Sequence, residues 1–215
     1  MAGAMQAHPG FLITFEGGEG CGKSTQARLL YKKLQQHNIA SLLTQEPGGT
    51  PLGNKIRSLL KDKRDFTISP LSELFLFSAC RSQLVQDVIR PAMDAGRVVV
   101  CDRFCDSTVV YQGFARGLDL HLIDLVNTSA TGGLKPDVTI LLDISPEQGL
   151  QRKKKVHEDR FDSEELSFHQ SIRQGYLDLA AKEPGRWLVL QAGLPVNKLS
   201  QLAWEYVRPL VAHGR

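Results

Sequence analysis

Residues 11–24 read Phe-Leu-Ile-Thr-Phe-Glu-Gly-Gly-Glu-Gly-Cys-Gly-Lys-Ser: an apolar run of β type, Phe11 to Phe15, feeds a complete G-x-x-x-x-G-K-S phosphate-binding loop at Gly17 to Ser24. A helical pattern from Ser24 to His37 leaves the loop, so the motif has the strand, loop and helix order it needs. Its glycines allow a backbone path that turns several N–H groups inward, a nest for phosphate oxygens at the positive end of a helix. Lys23 is expected to reach the β and γ phosphates, and the Ser24 hydroxyl to ligate Mg²⁺. ATP contacts are therefore expected along Gly17, Gly18, Glu19, Gly20, Cys21, Gly22, Lys23, Ser24 and Thr25. The competing reading, a glycine-rich turn that binds nothing, does not account for all fixed positions and both flanks together.

Working outward, further β-type runs follow at Ala40 to Thr44, Arg97 to Cys101, Val138 to Asp143 and Trp187 to Leu190. Helical patterns lie between them at Pro51–Lys61, Leu71–Met93, Leu120–Ser129, Pro146–Lys155, Glu164–Ala181 and Asn197–Ala212. Near-continuous apolar strands separated by helices predict an α/β fold of the P-loop type, a five-stranded parallel sheet covered by helices on both faces. Ligands of such sheets bind beyond the carboxyl ends of the strands. Three of those ends are informative: Gly17 onward, Glu46 onward and Asp102 onward.

The 215 residues, 42% apolar and 23% charged, suffice for one sizeable core, and one domain is expected over 1–215. Residues 1–9, with Met1-Ala2-Gly3-Ala4 before a second methionine, read as a leader outside the fold. The net charge of +3 demands no nucleic acid partner. No apolar run reaches the roughly 18 residues that a membrane span requires, so a cytoplasmic protein is expected. The four cysteines lack metal-site spacing and are expected as free thiols in a reducing compartment. Cys21, near a helix N-terminus, is expected to show modest alkylation that ATP suppresses.

After the second strand, Glu46-Pro47-Gly48-Gly49-Thr50 is a rigid turn that allows close backbone approach. After the third, Asp102-Arg103 brings a carboxylate suited to Mg²⁺ or its water shell and a guanidinium suited to phosphate; a structural salt pair is the competing reading. Phe77 and Arg81 lie one helical turn apart and so share a face. A ring beside a fork of donors could read a pyrimidine, although Phe77 alone reads as core.

Together, the phosphate loop, Glu46-Pro47-Gly48-Gly49-Thr50, Asp102-Arg103-Phe104 and Tyr111-Gln112-Gly113 resemble the bacterial type of thymidylate kinase, over nearly the whole chain. The resemblance implies transfer of the γ-phosphoryl group of Mg·ATP to thymidine monophosphate (dTMP), and a homodimer paired through helices beside the sheet. It implies that Phe77 stacks on the base, that Arg81 contacts it, and that Thr108 and Gln112 lie beside base and sugar. Arg57 and Arg103 match arginines that hold the acceptor phosphate, within a substrate set that includes Glu46 and Pro47. Glu19 matches an acid near acceptor and metal, where a helix-start charge is the competing reading. The basic stretch within 151–162 resembles a lid. The loop positions Gly18, Glu19, Gly20 and Cys21 carry no arginine, which resembles the branch whose catalytic arginines come from the lid, here Arg152 and Arg160. Lys154 stands where another arginine is expected and cannot make the bidentate grip.

Catalysis is expected from Lys23, Arg103, Arg152, Arg160 and Glu19, with Ser24 and Asp102 on the metal side. No general base is assigned, because a phosphate monoester is already largely ionised at neutral pH. The alternatives are a kinase for another nucleoside monophosphate or a deoxynucleoside, and a nucleotide-dependent switch. Arg57, an extra phosphate arginine, argues against a nucleoside acceptor. The switch reading lacks a guanine-reading Asn-Lys-x-Asp segment.

Overall fold

The computed structural model describes residues 10–62, 66–153 and 160–212. The expected leader at 1–9, and Lys154 with the rest of lid residues 154–159, lie outside them. Strands β1 (Phe11–Glu16), β2 (Ser41–Gln45), β3 (Val98–Asp102), β4 (Val138–Asp143) and β5 (Trp187–Gln191) form one parallel sheet in the order β2-β3-β1-β4-β5. The three central strands are buried almost throughout, whereas β2 and β5 are partly exposed, as edge position requires. Phe15 and Gln45 both register with Asp102, and Asp143 with Gln191, which aligns the carboxyl ends into a single rim.

Alternation along each strand divides the core. Ile13, Phe15, Val100, Ile140 and Leu142 face one side with Ala27, Leu30 and Leu34 of α1 (Lys23–Gln36) and with Leu199, Ala203 and Val207 of α9 (Val196–Ala212). Leu12, Val99 and Cys101 face the other, against Leu84 of α3 (Pro70–Leu84). Leu141 joins Ile172 and Tyr176 of α8 (Leu166–Lys182) there. Burying such side chains contributes roughly 1.5–3 kcal/mol each, which makes one register strongly preferred over a one-residue slip.

Local signals set the helix starts. The Thr50 side chain accepts from Gly53 N at 3.0 Å and Pro51 opens α2 (Pro51–Lys61); Ser69 and Pro70 do the same for α3. Asp119 caps α6 (Leu120–Thr131) through Leu122 N at 2.8 Å.

The helix expected over 71–93 is a continuous rod interrupted by a widened π turn, Val85–Ile89, before α4 (Arg90–Asp94). Pro91 explains the break: it has no N–H and its ring crowds the carbonyl four residues earlier. A second π segment, Val109–Ala115, continues the short α5 (Cys105–Thr108), where no helix is expected from the sequence. The described ends of the stretch 151–162 expected as a lid lie in helix α7 (Pro146–Lys153) and in a 3₁₀ turn, Arg160–Ser163. No described helix is long and apolar enough to cross a membrane.

Candidate active site

Gly20 and Gly22 take φ values of +67° and +94°, and Gly22 leads directly into α1. Only glycine holds such angles without strain, so the loop's sequence sets its path. Lys23, 7% exposed, curls back over the loop and donates through Nζ to Gly17 O at 2.9 Å and Gly18 O at 2.7 Å. Its ammonium thus sits inside the ring that would receive phosphate. Ser24 Oγ donates to Asp102 Oδ2, bringing together the two residues expected on the metal side. The Cys21 thiol is 2% exposed and packed into the core, so the alkylation expected of it is blocked by burial.

Helix α7 lies directly on this loop. A Cβ at Gly20 would come within 1.9 Å of Gly149 O, and one at Gly149 within 2.2 Å of Glu19 O. Two glycines therefore permit backbone to meet backbone, and the last turn of α7 reaches the loop's acid.

Arg103 is a non-glycine residue at φ +71°, a conformation that costs on the order of 1–3 kcal/mol and needs support from its surroundings. Its own N–H bonds to Phe15 O at 3.0 Å, and the next residue's N–H to Glu16 Oε1 at 2.7 Å. The strained turn aims the guanidinium at the loop: Nη2 donates to Glu19 Oε1 at 2.7 Å and Nη1 to Gly17 O at 3.2 Å. Tyr111 stacks under the guanidinium at 5.0 Å and donates its hydroxyl to Glu19 Oε1 at 2.9 Å.

Glu19 and Glu16, three residues apart, have opposite electrostatics. Burial raises the Glu19 pKa, but Arg103, Lys23, Lys153 and Lys61 outweigh it and hold the carboxyl well below the usual range. Burial, reinforced by Asp106, pushes Glu16 up to about 7, against the opposing effects of Arg103 and hydrogen bonds from Ser107 and Tyr176. Glu16 Oε2 accepts from Ser107 Oγ at 2.6 Å and Tyr176 OH at 2.8 Å, and both hydroxyls also contact Arg103.

A small, half-open cavity lies beside this group, lined by Glu19, Pro47, Lys61, Phe77, Arg103, Ser107, Thr108, Tyr111, Gln112 and Phe161. The lining comes from six stretches far apart in sequence, yet Glu19 and Arg103 belong to the loop side as well. The phosphate loop and the cavity are thus two halves of one cleft.

Residues 15–203 match the family model described as thymidylate kinase. The chain belongs to the thymidylate kinase family. It is 50% identical over 199 residues to a thymidylate kinase of Dehalococcoides mccartyi, covering 93% of this chain and 96% of that one. It is 46% identical to that of Deinococcus radiodurans, covering 92% and 96%. The crystal structure of the Ehrlichia chaffeensis thymidylate kinase superposes with a TM-score of 0.75 at 32% identity, covering 93% of this chain and 99% of that one.

Within this family member, the expected residues divide into two groups. Phe77, Arg103, Thr108, Gln112, Glu19 and Pro47 meet at the cavity, and Arg57 Nη1 holds Pro47 O at 2.7 Å on its rim. Arg81 and Glu46 do not line it. The Arg81 side chain is 1% exposed and grips Glu46 through Nε at 2.9 Å and Nη2 at 2.7 Å, with Nη1 on Asn127 Oδ1 at 2.7 Å. A buried carboxylate needs such a partner, so in this structure the pair braces the wall behind the cavity. Arg152 donates to Ala192 O at 3.0 Å, and Arg160 to Glu73 Oε2 and Leu60 O, so neither guanidinium bonds to the phosphate loop. Among the described residues of the basic stretch, the cation that reaches the loop is Lys153, 2.9 Å from Glu19 Oε2 and 2.8 Å from Asp162 Oδ1. Sequence reading assigned no role to Lys153, Glu73, Tyr176 or Phe161. Glu73, which lies on the same α3 as Phe77, carried the nearest thing to a signal: an acid directly before the apolar run Leu74 to Phe77.

Proposed function

We propose that the cleft carries out the family's reaction, in which ATP donates its γ-phosphoryl group to dTMP, with the residues in the following roles. One observation carries the assignment: Glu19 and Arg103 are shared by the phosphate loop and the cavity, so an acceptor phosphate held there would lie beside the donor's terminal phosphate. Phosphoryl transfer asks little covalent chemistry of a protein; it needs two phosphates in line and the migrating charge compensated. The loop amides and Lys23 hold the donor. Arg103, with Arg57 at the rim, holds the acceptor phosphate, for which the guanidinium exchanges Glu19. Phe77 and Phe161, whose ring centroids are 6.2 Å apart, bound the slot for the base, with Thr108 and Gln112 at its polar side. Arg81 supports the base slot from behind through its pairing with Glu46. The lid-flank cations Arg152, Lys153 and Arg160 supply further positive charge as the lid engages nucleotide.

Ser24 Oγ and Asp102 form an oxygen-only pair of the kind that suits Mg²⁺, which takes one or two protein ligands together with phosphates and water. Mg²⁺ bound there would neutralise charge on the donor phosphates. Among the described residues no cluster of three or more His, Cys, Asp or Glu is preformed for a metal, in keeping with an ion that arrives with its nucleotide.

The exposed Leu71 and Phe75 of α3 and Leu125 of α6 support a homodimer packed through helices beside the sheet. The free thiols support a cytoplasmic location. A test of the reaction is to supply ATP labelled in its γ-phosphate with dTMP. Label should appear in thymidine diphosphate in proportion to ADP formed; label released as free phosphate at the same rate without acceptor would contradict the assignment.

A further inference from the structure

Glu73 lies on α3, one turn before Phe77, and its residue is fully buried. A carboxylate taken so far out of water is costly unless it is paired, and three side chains supply the partners. Gln112 Nε2, from the second π segment, donates to Oε1 at 2.7 Å. Arg160, from the turn that follows the lid residues, donates through Nη2 to Oε2, and Arg116 Nε lies 3.4 Å from Oε1.

The contact with Gln112 has a consequence for the cavity. An ionised carboxylate only accepts, so it fixes which end of the Gln112 amide faces it: the nitrogen. The amide oxygen is then the end left for the cavity that Gln112 lines. A thymine or uracil ring carries an N–H between its two carbonyls and can donate to that oxygen. A cytosine ring has a bare nitrogen at the same place, and two lone pairs would face each other.

Accordingly, we infer that Glu73 is a positioning residue with two outputs: it sets the polarity of Gln112, so that the cavity favours bases with a ring N–H over cytosine, and it anchors Arg160 against the same wall. The inference rests on the assignment of the cavity as the base slot. It makes one carboxylate link base choice to a lid-flank cation through two hydrogen bonds on its two oxygens.

The test is Glu73→Gln, assayed with dTMP and with deoxycytidine monophosphate, alongside a thermal melt. A glutamine has no fixed preference for the Gln112 nitrogen, so the kcat/KM ratio of the two acceptors should fall by roughly tenfold, the range expected when a buried hydrogen-bond preference is lost. The kcat with dTMP should fall as Arg160 loses its charged partner, and the KM for ATP should stay unchanged. If this variant does not fold, Glu73→Asp, which keeps the charge but withdraws it by one methylene, should move the ratio in the same direction. A lowered melting temperature with an unchanged acceptor ratio, in whichever variant folds, would make Glu73 merely structural and overturn the inference. Equal use of the two acceptors by the unaltered enzyme would instead show that the base-slot assignment has failed, and the inference with it.

Discussion

The phosphate loop and the acceptor cavity meet at Glu19 and Arg103, but they are built in opposite ways. The loop is one continuous stretch, Gly17 to Ser24, whose glycine torsions and inward amides follow from local sequence. The cavity is assembled from the loop, the turn after β2, α2, α3, the turn after β3, α5, the second π segment and the 3₁₀ turn. The first half is fixed by short-range stereochemistry and the second by tertiary packing, so damage to each should read out differently.

The largest effect should come from the local half. Lys23→Ala removes the ammonium that the loop already encircles, and turnover should fall roughly 10²- to 10³-fold, the usual scale for one electrostatic contact to a transition state. Steady-state rates at saturating acceptor check this; wild-type turnover would refute the donor assignment.

The junction of the halves gives the next effect, on stability rather than rate. In the folded chain Glu16 keeps its proton up to about pH 7, while at the unperturbed value of 4.5 it would already have lost it. The folded state therefore holds the extra proton between those values, and Glu16 lowers stability as pH rises through that window. Glu16→Gln has nothing to ionise, so its unfolding free energy relative to the parent should rise from pH 4.5 to above 7 by on the order of 3 kcal/mol. Chemical denaturation at pH 5 and pH 8 measures the difference; a difference independent of pH would mean that Glu16 titrates normally.

In the assembled half, Arg103→Lys keeps the charge but loses the planar fork, and kcat/KM for dTMP should drop roughly 10- to 100-fold. Phe77→Ala should be milder, raising the KM for dTMP by roughly two- to tenfold with that for ATP unchanged. Equal loss for both substrates would place Phe77 in the core and erase the distinction between the halves.

That distinction also explains what could be read from the sequence. The parallel order of strand and helix was legible because both faces of β1, β3 and β4 are apolar, and so was the loop. Asp102 and Ser24 were legible as a pair because strand ends and motif positions have known places. The grip of Arg81 on Glu46 was not: each residue alone resembles a ligand contact, and only the packing of α3 against the turn after β2 brings them together. Nor was Lys153, whose direction is set by α7 where Gly149 meets the loop. The π segment at 109–115 escaped because a widened turn has no distinct hydrophobic period.

The central claim is that loop and cavity form one site for transfer between two phosphates. It is tested most directly by ADP formation from Mg·ATP with dTMP, other nucleoside monophosphates, thymidine, or no acceptor. Strong stimulation by dTMP and little by thymidine is the predicted result. Stimulation by thymidine itself, or ATP hydrolysis indifferent to acceptor, would contradict it.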